Sequence, residues 1–379
     1  MKWEYVNLGE IAEFKNGLNF SRDQYGQGVK YISVADFQDN FSAKTDELSE
    51  LKEDFINPSY YLKGSDILFV RSNGNKELVG RNLFIAETIE QITFSGFCIR
   101  ARFTDESVLP KFYAYLFKSK FFRNTLSTNA GGTNINNLNQ KILSNLNIPK
   151  PPLPTQRRIA AILSAYDDLI ENNLKRIKLL EEKAFASYKL IVNSEKLEEF
   201  TIEELSNVVM GQSPTSDTYT DEKEENLPFH QGVTNFTNYF VENRIYCKAP
   251  IKIAEVGDIL FSVRAPVGRI NFTNEKICIG RGLCAFRSKN GFQNYFYHQL
   301  KEFFFTEDVI GNGAIFNAVT KVELMKVKLK TPNEKVQREF ETEAQNIYNL
   351  ILNHSKQNTR LREARDILLP KLMNGKIKM

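Results

Sequence analysis

One stretch of the chain, residues 155–193, carries an unbroken helical pattern of hydrophobic positions. The recurring positions step by four and three residues along one face, and most are apolar: Ile159, Leu163, Tyr166, Ile170, Asn173, Ile177, Leu180, Ala184, Ser187 and Ile191. Charged residues, including Asp167 and Glu181, occupy the other faces, as on a helix that buries only one stripe. A helix of this length would extend about 57 Å, well beyond the usual three or four turns. The pattern therefore predicts a coiled-coil strut rather than an ordinary core helix.

A second helical pattern supplies a partner for the first. From Val336 it repeats every seven residues through Phe340, Ile347, His354, Leu361 and Leu368, accompanied by Ala344, Ile351, Asn358, Arg365 and Leu372. The approaches to the two helices are alike, because residues 145–149 resemble residues 328–332. Aligning Gln156 with Gln337 gives an offset of 337 − 156 = 181 residues. The sequence therefore predicts two copies of one unit.

The first segment outside the helices has the pattern of a mixed α/β domain. Short β-rich runs at residues 29–34 and 66–71 are separated by Gly and Asn. Its helical stretch, residues 110–126, is rich in aromatic residues: Phe112, Tyr113, Tyr115, Phe117, Phe121 and Phe122. Aromatic side chains at this density more often form a core than a surface for stacking bases.

The second segment repeats landmarks of the first. Residues 64–71 return as 257–264, residues 79–81 as 267–269 and residues 129–135 as 310–315, and Cys98 and Cys284 fall in matching strands. We predict an α+β protein in which two similar mixed α/β domains, residues 1–147 and 198–331, are separated by two long helical regions, residues 148–197 and 332–379.

Composition narrows the functional classes. The chain has 379 residues, of which 42% are hydrophobic and 25% charged, as in a soluble protein with two ordinary cores. It has no apolar run of membrane-spanning length and no signal-peptide pattern at its start, so we expect a cytoplasmic protein. Four cysteines and three scattered histidines lack the spacing of a zinc site, so we expect reduced structural thiols and no metal. The net charge of +4 is compatible with nucleic-acid binding.

Motifs for catalysis are missing. The closest approach to the tetrapeptide with which adenine methyltransferases hold a flipped base is at residues 57–60, where a serine replaces the second proline, so we interpret it as a turn. The acidic run at residues 221–225 is more typical of a solvated loop than of a nuclease centre. No phosphate-binding loop and no Ser/His/Asp arrangement appears.

Two motifs resemble a known family. Residues 149–173, PKPPLPTQRRIAAILSAYDDLIENN, are similar to the central conserved region of the specificity subunit of type I restriction–modification systems. Residues 368–377, LLPKLMNGKI, are similar to the C-terminal signature of that family. With the duplicated segments, the resemblance covers essentially the whole chain.

The resemblance implies a subunit without catalysis of its own. Each globular segment would be a target-recognition domain that reads one half of a split site in double-stranded DNA. The two helices would pair as an antiparallel coiled coil, fix the gap between the half-sites and dock two N6-adenine methyltransferase subunits. Restriction nuclease-translocase subunits would join the complex. S-adenosylmethionine and ATP would belong to those partners, so no cofactor is expected in this chain.

An antiparallel pair would bring the middles of the two helices together. Under the offset of 181, Asn173 is equivalent to His354, and both are polar interruptions of a largely apolar series. We expect the two side chains to face each other as a polar layer that fixes the register. The alternative is that both lie at the edge of the seam in water.

Base recognition would use Arg, Lys, Asn and Gln on loops, since these side chains pair with base edges or phosphates. The candidates are Lys15, Asn16, Asn19, Arg71, Asn73, Asn75, Lys76 and Arg81 in the first copy, with Gln212, Arg264, Arg269 and Arg281 in the second. Arg71 and Arg264 recur at positions that match in sequence and could equally be structural, whereas sequence-specific readers should lie where the copies differ.

The alternative function is a non-catalytic coiled-coil adaptor for proteins or sugars.

Overall fold

A computed structural model describes residues 3–37, 40–45, 48–72, 78–87, 90–129, 137–237, 239–305 and 318–375. Contacts divide the chain into two compact units. The first comprises Met1–Asn172 and Gln357–Met379, and the second comprises Asn173–Lys356. Each unit therefore contains one globular part and one end of each long helix. No helix among the described residues is both long enough and apolar enough to cross a membrane.

The first unit is built on one four-stranded and one three-stranded sheet. Its elements are β1 (Glu4–Asn7), α1 (Leu8–Ile11), β2 (Ala12–Asn16), β3 (Tyr25–Ile32), β4 (Glu50–Leu51), β5 (Ile67–Val70), β6 (Asn82–Phe84), β7 (Ile92–Phe94), β8 (Cys98–Phe103), α2 (Pro110–Lys118), α3 (Lys120–Asn129), α4 (Gln140–Ser144), β9 (Asn147–Lys150) and the start of α5 (Leu153–Ser194). The larger sheet is antiparallel in the order β2-β8-β5-β6. The smaller sheet, β4-β3-β7, contains the parallel pair β3 and β7. A separate antiparallel ribbon of β1 and β9 leads into α5.

The second unit repeats this plan. Its elements are β10 (Glu198–Thr201), α6 (Ile202–Leu205), β11 (Ser206–Met210), β12 (Tyr219–Thr220), β13 (Leu227–His230), β14 (Tyr246–Cys247), β15 (Ile253–Ala254), β16 (Ile259–Ser262), β17 (Ile270–Phe272), β18 (Ile277–Ile279), β19 (Leu283–Ser288), α7 (Gln293–Phe305), α8 (Lys321–Met325), β20 (Lys328–Thr331) and the start of α9 (Glu334–Met373). The order β11-β19-β16-β17 matches the larger sheet of the first unit, the parallel pair β13 and β18 matches β3 and β7, and the ribbon β10-β20 matches β1-β9. The predicted mixed α/β repeat is therefore confirmed. The proposed boundaries of the four regions stay a prediction.

The two cysteines of the repeat lie in matching strands but not at matching positions. Cys98 lies opposite Val70 between β8 and β5, whereas Cys284 lies opposite Phe261 between β19 and β16. All four cysteines are buried and free of disulfides, as expected. Burial raises the pKa of the Cys98 and Cys284 thiols, which keeps them protonated.

The long helices have the predicted extent and the predicted buried stripe. Helix α5 buries Ile159, Leu163, Ile170, Asn173, Ile177 and Ala184, and α9 buries Phe340, Ala344, Ile347, Ile351, Asn358 and Leu372. Each unit packs its share of these positions into its own globular core. The stripes therefore face the cores as well as the neighbouring helix.

Within each unit the two helices run antiparallel. In the first unit, Asp167 pairs with Arg365 at 2.5 Å, and the Ile170 carbonyl accepts a hydrogen bond from Asn358 at 3.4 Å. In the second unit, the rings of Tyr188 and Phe340 lie 6.3 Å apart, and Lys183 pairs with Glu343 at 3.2 Å. Residue numbers rise in α5 as they fall in α9, as the family resemblance implied.

Two charged residues of α5 do not lie on solvated faces, contrary to the sequence-based expectation. The Asp167 carboxylate is 15% exposed and also accepts a hydrogen bond of 2.6 Å from the Tyr115 hydroxyl. Glu181 is half-buried, and burial raises its pKa to about 7 although the Lys301 charge acts in the opposite direction. Both positions border the stripe, where the globular part covers side chains that an isolated helix would expose.

The two residues of the expected polar layer, Asn173 and His354, are both at least partly shielded from water. Asn173 is buried, and His354 is half-buried. That these two side chains face each other stays a prediction.

The aromatic stretch at residues 110–126 is a core, as predicted, but it forms two helices. Ser119 has an extended backbone between α2 and α3. Its hydroxyl donates to the Leu116 carbonyl at 2.5 Å and accepts from the Phe122 amide at 3.3 Å, so it satisfies groups at both helix ends. The aromatic residues of the stretch are fully buried apart from Phe121, which is 38% exposed.

An ion pair with a buried aspartate recurs in the two units. Asp66 is 1% exposed and binds Arg102 through two hydrogen bonds of 2.6 and 2.7 Å. Asp258 is 2% exposed and binds Arg287 in the same way at 2.7 and 2.9 Å. Each carboxylate also accepts a backbone N–H three residues earlier, which fixes the turn before β5 or β16. This pair explains why the sequence around each aspartate recurs.

We predict that Asp66→Asn and Asp258→Asn each lower the free energy of unfolding by about 1–3 kcal/mol, because each leaves a forked arginine without its charged acceptor. Urea unfolding would measure the change. The control is Glu242→Gln, which removes an exposed ion pair with Arg244 and should change stability by less than about 0.5 kcal/mol. Equal effects from all three variants would contradict a structural role for the repeated pair.

Candidate nucleic-acid interface

The predicted loops at residues 15–19 and 211–213 occupy equivalent places. Gly17 directly follows β2, and Gly211 directly follows β11. The Gly17 N–H donates to the carbonyl of Cys98 at the start of β8 at 3.1 Å, and the Gly211 N–H donates to the carbonyl of Leu283 at the start of β19 at 2.9 Å. A Cβ on Gly17 would lie 2.2 Å from the Ser95 carbonyl oxygen, and one on Gly211 would lie 2.1 Å from that of Gly280. Only glycine allows the two backbones to approach so closely.

Each loop is thereby held against a three-residue turn. We call residues 95–97, between β7 and β8, the first reading turn, and residues 280–282, between β18 and β19, the second. Both are closed by the same hydrogen bond, from Cys98 to the Ser95 carbonyl at 2.8 Å and from Leu283 to the Gly280 carbonyl at 3.0 Å. Equivalent backbones therefore present different side chains.

Two sequence candidates, Asn19 and Arg71, contact the first reading turn, and a third, Arg81, contacts the end of β5 beside Arg71. Asn19 is exposed and its amide oxygen lies directly over Gly96, where an added Cβ would be 2.1 Å away. The Arg71 side chain donates to the Gly96 carbonyl at 3.5 Å, and its backbone N–H donates to the Phe97 carbonyl at 2.8 Å. The Arg81 carbonyl accepts from Val70, the residue before Arg71. Asn73, Asn75 and Lys76 lie outside the described residues.

The structure directs Lys15 elsewhere. Its amine donates to the Ser59 hydroxyl at 2.6 Å and lies 4.0 Å from the centre of the Tyr60 ring. Partial burial lowers the pKa of Lys15, and the charges of Arg100 and Arg102 lower it further. Residues 57–60 form the expected turn, a short 3₁₀ helix capped by the Asn57 side chain. The neighbouring candidate Asn16 has a buried side-chain oxygen that accepts no hydrogen bond.

Two sequence candidates line one cleft at the second reading turn. Its volume is about 230 Å³, and it is lined by Gln231, Gly232, Val233, Ser262, Arg264, Ala265, Arg281 and Gly282. The Ser213 hydroxyl accepts from the Arg281 N–H at 3.2 Å and donates to the Gln231 amide oxygen at 2.7 Å. The side chains of Arg264 and Arg281 are exposed, so the cleft offers planar guanidinium donors.

The remaining candidates of the second unit lie beside the cleft. Gln212 is exposed, and its N–H donates to the Ile279 carbonyl at 3.0 Å. Arg269 is exposed, and its N–H donates to the Ser262 hydroxyl at 2.8 Å. Arg269 matches Arg81, because the preceding glycine in each copy has a positive φ, 89° in Gly268 and 79° in Gly80, and donates to the end of the neighbouring strand.

Arg71 and Arg264 do not occupy matching positions, contrary to the sequence alignment. The N–H of Arg71 donates to Phe97, whereas the corresponding bond to Gly282 comes from Val263. Val263 is 4% exposed. Counted from the aspartate that the two motifs share, Arg71 follows after five residues (71 − 66) and Arg264 after six (264 − 258), so Arg264 lies one position beyond the structural equivalent of Arg71.

Sequence reasoning missed Gln231 and Phe97. The comparison of the copies contains a signal for Phe97, because the reading turns differ at all three positions: Ser95 matches Gly280, Gly96 matches Arg281 and Phe97 matches Gly282. Phe97 is apolar, however, and does not stand out among the polar residue types that pair with base edges. Gln231 matches Ser33, and no sequence motif marks it.

The side chains at the two reading turns and in the cleft are suited to non-covalent recognition. Guanidinium and amide groups suit the hydrogen-bonding edges of bases, and backbone N–H groups suit phosphates. The acidic run at residues 221–225 is exposed, as expected of a loop. Within the described ranges, no group of three or more His, Cys, Asp or Glu side chains is arranged to hold a metal ion.

Comparison with known proteins assigns the chain to a family. The model of the type I restriction modification DNA specificity domain matches it twice, at residues 1–182 and 194–362. The chain belongs to this family. It thus carries two specificity domains, in agreement with the repeated sheets and with the resemblance seen in its helical motifs.

Known relatives are similar to this chain over nearly their whole length. A specificity subunit assigned to the type I restriction enzyme MjaX of Methanocaldococcus jannaschii is 31% identical over 404 aligned residues, which cover 100% of this chain and 94% of that protein. The MjaVIII specificity subunit of the same organism is 23% identical, with 100% and 93% covered. The crystal structure of the type I restriction-modification S subunit from M. genitalium has the same fold, with 19% identity, a TM-score of 0.58, and 98% and 96% of the two chains covered.

We predict that Arg281→Ala lowers discrimination at one base pair of the target duplex by about 1–3 kcal/mol, the contribution of a bidentate arginine–guanine contact. Arg281→Lys should not restore it, because an ammonium group lacks the planar fork. Competition between duplexes with single base-pair changes would measure discrimination. Arg244→Ala, which removes an exposed arginine outside the cleft, is the control and should leave it unchanged. Unchanged discrimination in Arg281→Ala would exclude base reading by this residue.

Proposed function

We propose that this chain is the non-catalytic, cytoplasmic specificity subunit of a type I restriction–modification complex. Each unit reads one half of a bipartite site in double-stranded DNA. The helices fix the spacer between the halves. Catalysis, with its S-adenosylmethionine and ATP, resides in partner subunits.

The observation that carries this proposal is the contrast between equal backbones and unequal side chains at the reading turns. Both turns share the backbone hydrogen bond that closes them and the one accepted by the carbonyl of their third residue. Their second and third positions nevertheless carry a glycine and a phenylalanine in one unit, and an arginine and a glycine in the other. A shared scaffold with different exposed groups suits recognition of two different half-sites.

A repeated feature of the helices supports two copies of the methyltransferase partner. Leu169 on α5 is 52% exposed and Leu350 on α9 is 48% exposed. These leucines are equivalent under the offset of the repeat, since 350 − 169 = 181. Because apolar side chains at equivalent places suit identical partners, we assign them to docking of two N6-adenine methyltransferase subunits. Nuclease-translocase subunits complete the restriction complex.

The alternative, a coiled-coil adaptor for proteins or sugars, is not favoured. Membership of the DNA specificity family covers both globular parts and most of both helices.

We predict that the purified chain alone neither methylates nor cleaves DNA, and that adding a cognate methyltransferase partner produces adenine methylation at a two-part site. Sequencing of methylated positions in a random DNA library would identify the site. Duplex affinity should fall steeply with salt, because phosphate contacts release counterions. One control is the methyltransferase alone. The other is the chain with both Leu169→Glu and Leu350→Glu, which should not assemble with the methyltransferase. Methylation by this chain alone, or no duplex binding by the complex at low salt, would overturn the proposal.

A further inference from the structure

An apolar side chain stands out among the polar groups of the first reading turn. Phe97 is 61% exposed. Burial of a phenyl ring is favourable, so folding leaves a substantial apolar surface of this residue exposed to water. Single exposed apolar residues are common on proteins. Phe97 differs from an ordinary one in the way its backbone is held.

The backbone of Phe97 is fixed on both sides. Its N–H donates to the Ser95 hydroxyl at 3.3 Å, and its carbonyl accepts from the Arg71 N–H at 2.8 Å. The adjoining Gly96 N–H donates to the Leu18 carbonyl at 2.6 Å. The ring therefore projects from a turn tied to two neighbouring segments. Such a group can contact a ligand without the entropic cost of ordering a loop.

The groups around the ring indicate the chemistry of its ligand. Asn19 lies over Gly96, one residue from Phe97, and Arg71 donates to the same glycine. An asparagine amide can pair with the N7 and N6 groups of adenine, and a phenyl ring suits the 5-methyl group of thymine, both in the major groove. An adjacent amide and phenyl ring thus match the two bases of A·T pairs.

The equivalent place in the second unit has the opposite character. Gly282 replaces Phe97 and Ser213 replaces Asn19, whereas Arg281 replaces Gly96 and lines the cleft with Arg264. Loss of the ring opens space, and the guanidinium groups suit guanine edges. The difference between the units is therefore a difference in the bases that each can accept.

We propose that Phe97 is a specificity-determining residue, an inference that rests on the function proposed above. Its ring contacts a thymine methyl group in the half-site read by the first unit. The Asn19 amide pairs with an adenine of the same or the adjacent base pair. The contact lies in the major groove and is non-covalent.

The test uses the assembled complex and its methylated site. Replacing individual thymines of the first half-site by deoxyuridine removes only the methyl group, and at one position affinity should fall about fourfold, as expected for one buried methyl group. Phe97→Ala should abolish this difference between thymine and deoxyuridine, and Phe97→Leu should keep most of it. Library sequencing should show that Phe97→Ala relaxes a base of the first half-site and leaves the second unchanged. The control is Phe121→Ala, which truncates another exposed phenylalanine of the same unit and should alter neither half.

The outcomes separate the two proposals. A complex that methylates no two-part site would refute the proposed function itself. If Phe97→Ala methylates the same sequence with the same fidelity, or if every thymine tolerates deoxyuridine, the function stands and the assignment of Phe97 is wrong. Equal loss of affinity for thymine and deoxyuridine sites in Phe97→Ala would also overturn it, and would identify the ring as a wedge between base pairs.

Discussion

Burial of the helix stripes within the globular cores is the constraint on which the rest of the structure depends. In the first unit, Ile159 and Leu163 of α5 and Leu372 of α9 belong to the same core as the aromatic helix α2. In the second unit, Ile177, Phe340 and Ile351 join the core formed by α7 and the larger sheet. Neither globular part completes its core without both helices. The helices are therefore a structural part of each unit rather than a linker between them.

This arrangement separates what must stay constant from what can vary. The close approaches of Gly17 and Gly211 determine the backbone at the reading turns, whereas the ion pairs of Asp66 and Asp258 fix the opposite ends of the strands that adjoin those turns. The side chains of Phe97 and Arg281 in those turns are exposed. Changes to these two side chains alter the presented surface at small cost in stability, so one scaffold can present different recognition surfaces.

The sequence predicted the features that depend on periodicity. The long helices, their stripes and the duplicated α/β plan follow from repeated hydrophobic positions, and the family resemblance added the antiparallel direction. The break between α2 and α3 at Ser119 was missed because the helical pattern of apolar positions continues across it. The break depends on the Ser119 hydroxyl, which binds backbone groups at the end of α2 and at the start of α3, and the pattern does not show such a local bond. Asp167 and Glu181 were misplaced because the pattern of one helix cannot show what the globular part covers.

At the candidate interface the sequence located the right loops but not their details. An alignment by residue type pairs Arg71 with Arg264, whereas the hydrogen bond from Val263 to Gly282 shows that Val263 is the structural equivalent of Arg71. Phe97 was overlooked because it is apolar, although the rule that readers lie where the copies differ points to it. Gln231 comes from the end of a different strand, and its approach to Ser213 depends on the fold.

The reading of separate half-sites by two units with one framework can be tested by exchanging one unit. The measurement is the methylated sequence of a complex in which residues 1–147 have been replaced by the same segment of a family relative of different specificity. We predict that one half of the recognised sequence changes to that of the relative, while the other half and the spacer stay as they were. A change in both halves, in a complex that still assembles and methylates, would contradict it.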